Sequence, residues 1–369
     1  MVKKIFGFGL VWIVLIGVLV WSLFGRKIDI LSPKSDRKDL INNHKNMKVI
    51  GFLPTWMVGK TIEYTDEISQ KKILGVELDL KVNIILDTQS KKIENETYLK
   101  QKRLIKKYGG KNILGIKLFD DDKIDEFLKS NEARINLINQ LKDLKQNNGF
   151  DGINVDFEYM GNPIAILSEE MIGFLDELKE ENLGEISLDV FANTIIKGSG
   201  ENLNRLIEKT DYLIIMAYDF HRPGVDSAGS VAPIGSVVGD RNIMEVVEKT
   251  MLSKLNKEKI IMAYPLYGYE WKTYNHDFES PVKKGWSQMA SWKRMKELIK
   301  ENNLEVKWDE LSMTPWVVFE EDNEIHQIYF ENEKSLGIKL DLVRNNQFSG
   351  VGFWALGYEG EDINVWKLK

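Results

Sequence analysis

Eight short apolar runs recur along the chain between residues 49 and 354, each separated from the next by polar or amphipathic sequence. They fall at 49–54, 80–86, 113–118, 152–158, 186–191, 212–218, 259–264 and 350–354. Several, such as "YLIIM" and "IIMAY", are continuously apolar. A strand covered on one face alternates apolar and polar residues. One covered on both faces does not, and that points to a parallel sheet flanked by helices. Between the runs, segments such as "ARINLINQLKDLKQNN" and "SEEMIGFLDELKEEN" carry apolar residues at helical spacing. Eight β runs with helical connections predict an α/β fold, a (β/α)8 TIM barrel over residues 48–369.

One connection is too long for a single helix. Residues 264–350 hold a helix-like part at 287–303 and strand-like parts at 304–308, 316–319 and 325–330. A small α+β insertion, about 272–330, is expected between strands 7 and 8.

Ahead of the barrel lies "IFGFGLVWIVLIGVLVWSLF", residues 5–24, without a charge. As a helix it would span roughly 30 Å of hydrocarbon. No A-x-A cleavage pattern follows. An uncleaved N-terminal membrane anchor is therefore expected over 1–25, followed by a polar linker over 26–47. Loop charge opposes export, because Arg26, Lys27, Lys34, Arg37, Lys38 and Lys45 outnumber Lys3 and Lys4. A short tail before a large domain favours it. The expectation is an envelope-facing barrel, or a secreted one if the segment is cleaved.

Composition excludes several chemistries. The 369 residues carry a net charge of −6 and no cysteine, so thiolate zinc sites and cysteine nucleophiles are ruled out. His44, His221, His276 and His326 are scattered, without a metal-ligand spacing. No Walker loop, G-x-G-x-x-G or H-E-x-x-H occurs. No metal, cofactor or nucleic acid is expected, and the chain is expected to be a monomer.

The fourth run, "FDGINVDFEYM", departs from its apolar neighbours. Strand alternation places Asn154, Asp156 and Glu158 on one face and Ile153, Val155 and Phe157 on the other. In a barrel the first set faces the axis, and Glu158 stands nearest the C-terminal end, where barrel enzymes hold their chemistry. Asp156 and Glu158 would lie about 7 Å apart at Cα. Two such carboxyl groups in a half-buried site resist ionising together, so one keeps a proton near neutrality. A protonated glutamate there is a general acid. The alternative is a buried polar network that only holds the barrel together.

The same stretch resembles the D-x-x-D-x-D-x-E pattern of glycoside hydrolase family 18, the chitinase-like family. "LIIMAYDF" resembles that family's M-x-Y-D strand, "MAYPLYGYEW" its P-x-Y-G strand, and "GVGFWALGYE" its last strand with a floor tryptophan. The four occur in family order. The resemblance implies an exception to the usual pair of enzyme carboxylates, in which the substrate's own N-acetyl group is the nucleophile. Glu158 would protonate the leaving oxygen, Asp156 would hold the acetamido N–H, and Tyr218 would hydrogen-bond the acetamido oxygen. Asp151, Asn154, Asp219, Trp354, Tyr267 and Trp56 are the expected substrate-binding residues. Trp354 would stack on a sugar face.

Asn154 departs from the larger chitinase pattern, which has aspartate there. An amide still hydrogen-bonds but carries no charge. It is expected to shift the pH profile without abolishing turnover. The resemblance implies a retaining glycosidase acting on β-1,4 bonds next to N-acetylglucosamine, in chitin or, given the anchor, peptidoglycan. The alternative is a lectin-like glycan-binding protein on the same fold. Binding relatives usually replace the acid, and Glu158 is present. A structural scaffold has no direct support in the sequence.

Overall fold

The computed structural model describes residues 47–57, 102–103, 105–107, 109–236 and 240–360, and residues 82–87 by backbone alone. The expected anchor over 1–25, and the linker over 26–47 except Met47, lie outside these. Among the described residues no helix is long and apolar enough to cross a membrane.

The apolar runs form the strands of a closed parallel barrel. In chain order they are β1 (Lys48–Leu53), β2 (Val82–Asp87), β3 (Asn112–Leu118), β4 (Gly152–Phe157), β5 (Glu185–Phe191), β6 (Tyr212–Met216) and β7 (Ile260–Pro265). β13 (Gly350–Trp354) closes the ring between β7 and β1. The TIM-barrel expectation is met.

The local sequence explains the chain's entry into the fourth strand. Helices α1 (Asp121–Lys129) and α2 (Asn131–Asn148) stand before it. The Ser130 side chain accepts from Ala133 N–H and caps α2 at its start. Gly149 ends it with φ +61°, a left-handed conformation that suits glycine. Three residues later β4 begins. Its outward Phe157 stacks on Phe174 of α3 (Glu169–Glu180), with ring centres 5.9 Å apart, and meets Phe127 of α1 edge-on at 5.6 Å. Burying one such side chain contributes about 1.5–3 kcal/mol. That packing fixes which face of β4 looks outward, and so which residues look inward.

The sequence between β7 and β13 forms β8 (Tyr267–Thr273), β9 (Val282–Ser291), β10 (Lys307–Asp309), β11 (Thr314–Glu321) and β12 (Glu324–Tyr329). They pair as an antiparallel sheet in the order β10–β11–β12–β8–β9. Two expectations shift here. The sheet starts at Tyr267, with only Leu266 between it and β7, whereas the insertion was expected from about 272. The helix expected at 287–303 occupies Trp292–Asn302, because 282–291 pairs as a strand with β8. Ser291 caps that helix by accepting from Arg294 N–H, which sets its start. β9 buries only Val282 and Ala290 and leaves Trp286 and Met289 exposed, and backbone pairing defines it more than apolar alternation does. Gly268 is required where β8 crosses Tyr329, since a Cβ there would lie 1.8 Å from the Tyr329 carbonyl oxygen.

Where the chain leaves the insertion, Glu331 and Lys339 are both fully buried. Lys339 lies on the helix Glu333–Asn345. Its ammonium and the Ser335 hydroxyl both donate to Glu331 Oε2, at 2.9 and 2.6 Å. The Tyr264 hydroxyl of β7 donates to the Lys339 carbonyl at 3.3 Å. The pair ties the last helix to the barrel at the point where the inserted sheet returns.

Candidate active site

β4 delivers Asn154 and Asp156 to the barrel interior, and Glu158 follows just past its end, where its N–H donates to the Leu118 carbonyl at 2.9 Å. The side chains of Asp156 and Glu158 hydrogen-bond each other, which requires a shared proton. Burial raises the Glu158 pKa to about 7, and the negative Asp219 adds to the rise. The bond to Asp156 and the positive Lys117 and Arg222 oppose it. Glu158 is therefore held close to half-protonated at neutral pH.

β6 ends at Met216, and the chain turns out of the barrel at Tyr218 and Asp219. Asp219 has φ +60°, a left-handed conformation that aspartate tolerates better than most residues. Its Oδ1 accepts from the Tyr267 hydroxyl at 2.6 Å, and burial raises its pKa. Burial also pushes the Tyr218 phenol well up, reinforced by Asp189, Asp156, Asp219 and Glu158. Tyr218 thus stays a neutral hydrogen-bond donor within the field of all four carboxyl groups.

Trp354 ends β13 beside the same cavity as Phe52, Gly115, Lys117, Asn154 and Asp156. Its ring tilts against Phe52 at 5.6 Å. Trp56 is 49% exposed at the rim, and its indole N–H donates to the Tyr358 hydroxyl.

The structure thus brings together Glu158, Asp156, Tyr218, Asp219, Asn154 and Trp354, and sets Trp56 at the edge. Two expected substrate-binding residues stand apart from this group. Asp151 precedes β4 at the opposite end of the barrel, and its Oδ2 accepts from Asn112 N–H at 2.9 Å. A strand rise of about 3.3 Å per residue separates it from Glu158 by roughly 20 Å, and there it ties neighbouring strands together. Tyr267 is 3% exposed and spends its hydroxyl on Asp219, so it supports the site from behind.

Two residues of the site were not singled out from the sequence. Lys117, on the inner face of β3, is in register with Asp156, and its ammonium lies 5.9 Å from the Trp56 ring centre and 5.7 Å from that of Phe119. Asp189, on β5, is 3% exposed and accepts from Asn154 Nδ2 at 2.9 Å. Both carried a signal: "LGIKL" and "ISLDVF" each place polar residues two apart or alone within apolar runs, the pattern that drew attention to β4. Among the described residues no group of three histidine, aspartate or glutamate side chains is disposed to hold a metal.

The model of the family described as Glycosyl hydrolases family 18 matches residues 80–359, well over half of the chain. The chain belongs to glycosyl hydrolase family 18. Among its family 18 relatives is the cortical fragment-lytic enzyme of Bacillus subtilis, 23% identical over 245 residues, which covers 65% of this chain and 54% of that protein. The chain spans about half the length of the first curated relatives it matches. A family 18 chitinase from Cycas revoluta, solved with (GlcNAc)3, superposes with a TM-score of 0.69 at 16% identity, covering 85% of this chain and 96% of that one. The spore cortex-lytic enzyme of Bacillus cereus gives 0.67 at 18%, over 87% of this chain and 73% of that one. At these identities the superpositions show the shared fold.

Proposed function

We propose that this chain is a retaining glycosidase that hydrolyses β-1,4 bonds next to N-acetylglucosamine by substrate-assisted catalysis. The observation that carries the reading is the placement of Asp156 and Glu158 together at the C-terminal end of a family 18 barrel strand, with Tyr218 and Asp219 beside them. Glu158 protonates the glycosidic oxygen as the bond from that oxygen to the anomeric carbon breaks. The substrate's acetamido oxygen forms the new bond to that carbon. Asp156 accepts the acetamido N–H and offsets the positive charge of the cyclic intermediate, and Tyr218 donates to the acetamido oxygen to orient it. Water then attacks the anomeric carbon, reopens the ring and gives its proton to Glu158, with net retention.

The relatives named for cortex lysis favour peptidoglycan over chitin as the substrate, and the apolar segment at 5–24 suits an envelope tether for a monomeric barrel facing outward. Cell fractionation with protease accessibility tests that placement; protection of the barrel in intact cells would overturn it. The substrate test is incubation of the purified chain with chitooligosaccharides and with purified peptidoglycan, reading new reducing ends by mass spectrometry beside a Glu158→Gln control. Product from neither polymer, together with retained binding, would favour the lectin-like alternative.

Because the acid must be protonated, kcat/KM should fall as pH rises through about 7, the value Glu158 holds in the free protein. A profile flat to pH 9 would remove Glu158 from that role. Tyr218→Phe deletes one hydroxyl and keeps the ring packed 6.3 Å from Tyr267. It should lower kcat by about 10- to 100-fold with little change in melting temperature, since one oriented hydrogen bond is lost.

A further inference from the structure

Asn154 has two N–H donors and one carbonyl acceptor, and the described structure accounts for both donors. Nδ2 donates to Ser187 Oγ at 3.1 Å and to Asp189 Oδ1 at 2.9 Å, both on β5. Asn154 Oδ1 is buried with no hydrogen-bond partner. Asn154 and Asp156 line the same cavity. A buried acceptor left without a partner is costly, so a fold that keeps one open has a use for it or fills it during turnover.

We propose that Asp189 is a positioning residue for the glycosidase site: from β5 it locks the Asn154 amide so that its carbonyl oxygen stays turned to the cavity, as the alternative partner that Asp156 takes when it carries the shared proton. The role rests on the glycosidase reading only for its kinetic consequence. It also gives the amide of Asn154 a purpose. The chain carries a deep carboxyl group, but on β5, and the amide connects it to β4. An aspartate at 154 would set two carboxyl groups at hydrogen-bond distance in place of one donor and one acceptor.

Protonation of Asp189 is consistent with this geometry. Burial pushes its pKa well above the usual range and the charge of Glu158 adds, while the Asn154 N–H opposes. Glu158, just past β4, acts on it, and Tyr218, beyond β6, lies in the joint field of Asp189, Asp156, Asp219 and Glu158; Asn154 and Ser187 do not titrate near neutrality. Asp189 can therefore accept from Asn154 without placing a second full charge beside the Asp156–Glu158 pair.

The test uses the whole chain in four forms: Asp189→Ala, Asp189→Asn, Asn154→Asp, and Asn154→Asp combined with Asp189→Asn. On a chitooligosaccharide, Asp189→Ala should lower kcat about tenfold or more with KM within about twofold, because the amide is no longer held. Asp189→Asn keeps an acceptor oxygen and should stay within about threefold of wild type. Asn154→Asp should lower kcat and move the acidic limb of the pH profile, and the exchanged pair, with the donor now on β5, should recover most of the loss. Equal losses for Asp189→Ala and Asp189→Asn, or an exchanged pair no better than its worse single variant, would overturn the proposal.

A second readout does not depend on turnover. The Asn154 side-chain amide protons, assigned by their loss in Asn154→Asp, should exchange slowly with solvent in the wild type and at least about tenfold faster in Asp189→Ala. Fast exchange in both would overturn the lock even if no substrate is cut. Inactive wild type with slow amide exchange would instead reject the glycosidase reading and leave the lock standing.

Discussion

Glu158→Gln is expected to lower kcat on N-acetylglucosamine oligomers by about 10²- to 10⁴-fold, the usual contribution of a positioned general acid. The replacement keeps the shape and the hydrogen bond to Asp156 but removes the transferable proton. KM should change little, because the side chain acts on the leaving oxygen at the transition state. The fold should not suffer. In the folded chain the Glu158 pKa is raised from 4.5 to about 7, so the folded state holds a proton that the unfolded chain gives up. The stability this provides is complete below the unfolded pKa and is lost as pH rises through about 7. The amide variant escapes that loss and should melt at or above the wild-type temperature at pH 8. Turnover unchanged by the substitution would remove Glu158 as the acid, and a sharp fall in melting temperature would make any lost activity a folding effect.

Lys339→Met is the second large effect, and it acts on stability. It leaves Glu331 buried with the Ser335 hydroxyl as its remaining side-chain donor. Removing one partner of a buried ion pair destabilises by about 3–5 kcal/mol. Urea unfolding at pH 7 should show that deficit as a lower midpoint with an unchanged slope. The deficit should depend on pH with a definite sign. Burial raises the Glu331 pKa already in the wild type, and losing the ammonium raises it further. A carboxyl group whose folded pKa lies above the unfolded value loses stability as pH rises above the latter, by about 1.4 kcal/mol per pH unit until the folded pKa is reached. The variant should therefore lose less at pH 5 than at pH 7. Replacing both members, Glu331→Leu with Lys339→Met, should recover most of the loss, since a well-packed apolar pair avoids desolvating two charges. A double variant as unstable as the single one would show that the site tolerates no apolar filling.

The barrel was legible because its strands bury both faces and so read as unbroken apolar runs. The core of the site was legible because β4 violates that rule on one face only: Asn154, Asp156 and Glu158 stand out against Ile153, Val155 and Phe157. Less was legible wherever partners are distant in sequence. Asp189 lies 35 residues from Asn154, and only strand adjacency in the closed ring brings them together. Asp151 stands apart from Glu158 for the opposite reason. It shares the motif with Glu158, but a strand is long enough to carry its two ends to opposite mouths of the barrel. β9 was hidden because an edge strand with exposed lysines and a glycine has no apolar period to betray it.

Only Leu266 separates β7 from the inserted sheet, whose first side chain, Tyr267, grips Asp219 on the neighbouring barrel turn. This constrains anyone who would trim the protein to a minimal catalyst or transplant the sheet onto another scaffold. A cut placed at the outer strands β10 and β11 spares β8, which carries Tyr267, and its β12 neighbour. A cut at Tyr267 removes the buttress behind the reaction chamber along with the ornament in front of it. In this chain the appendage and the engine share a wall.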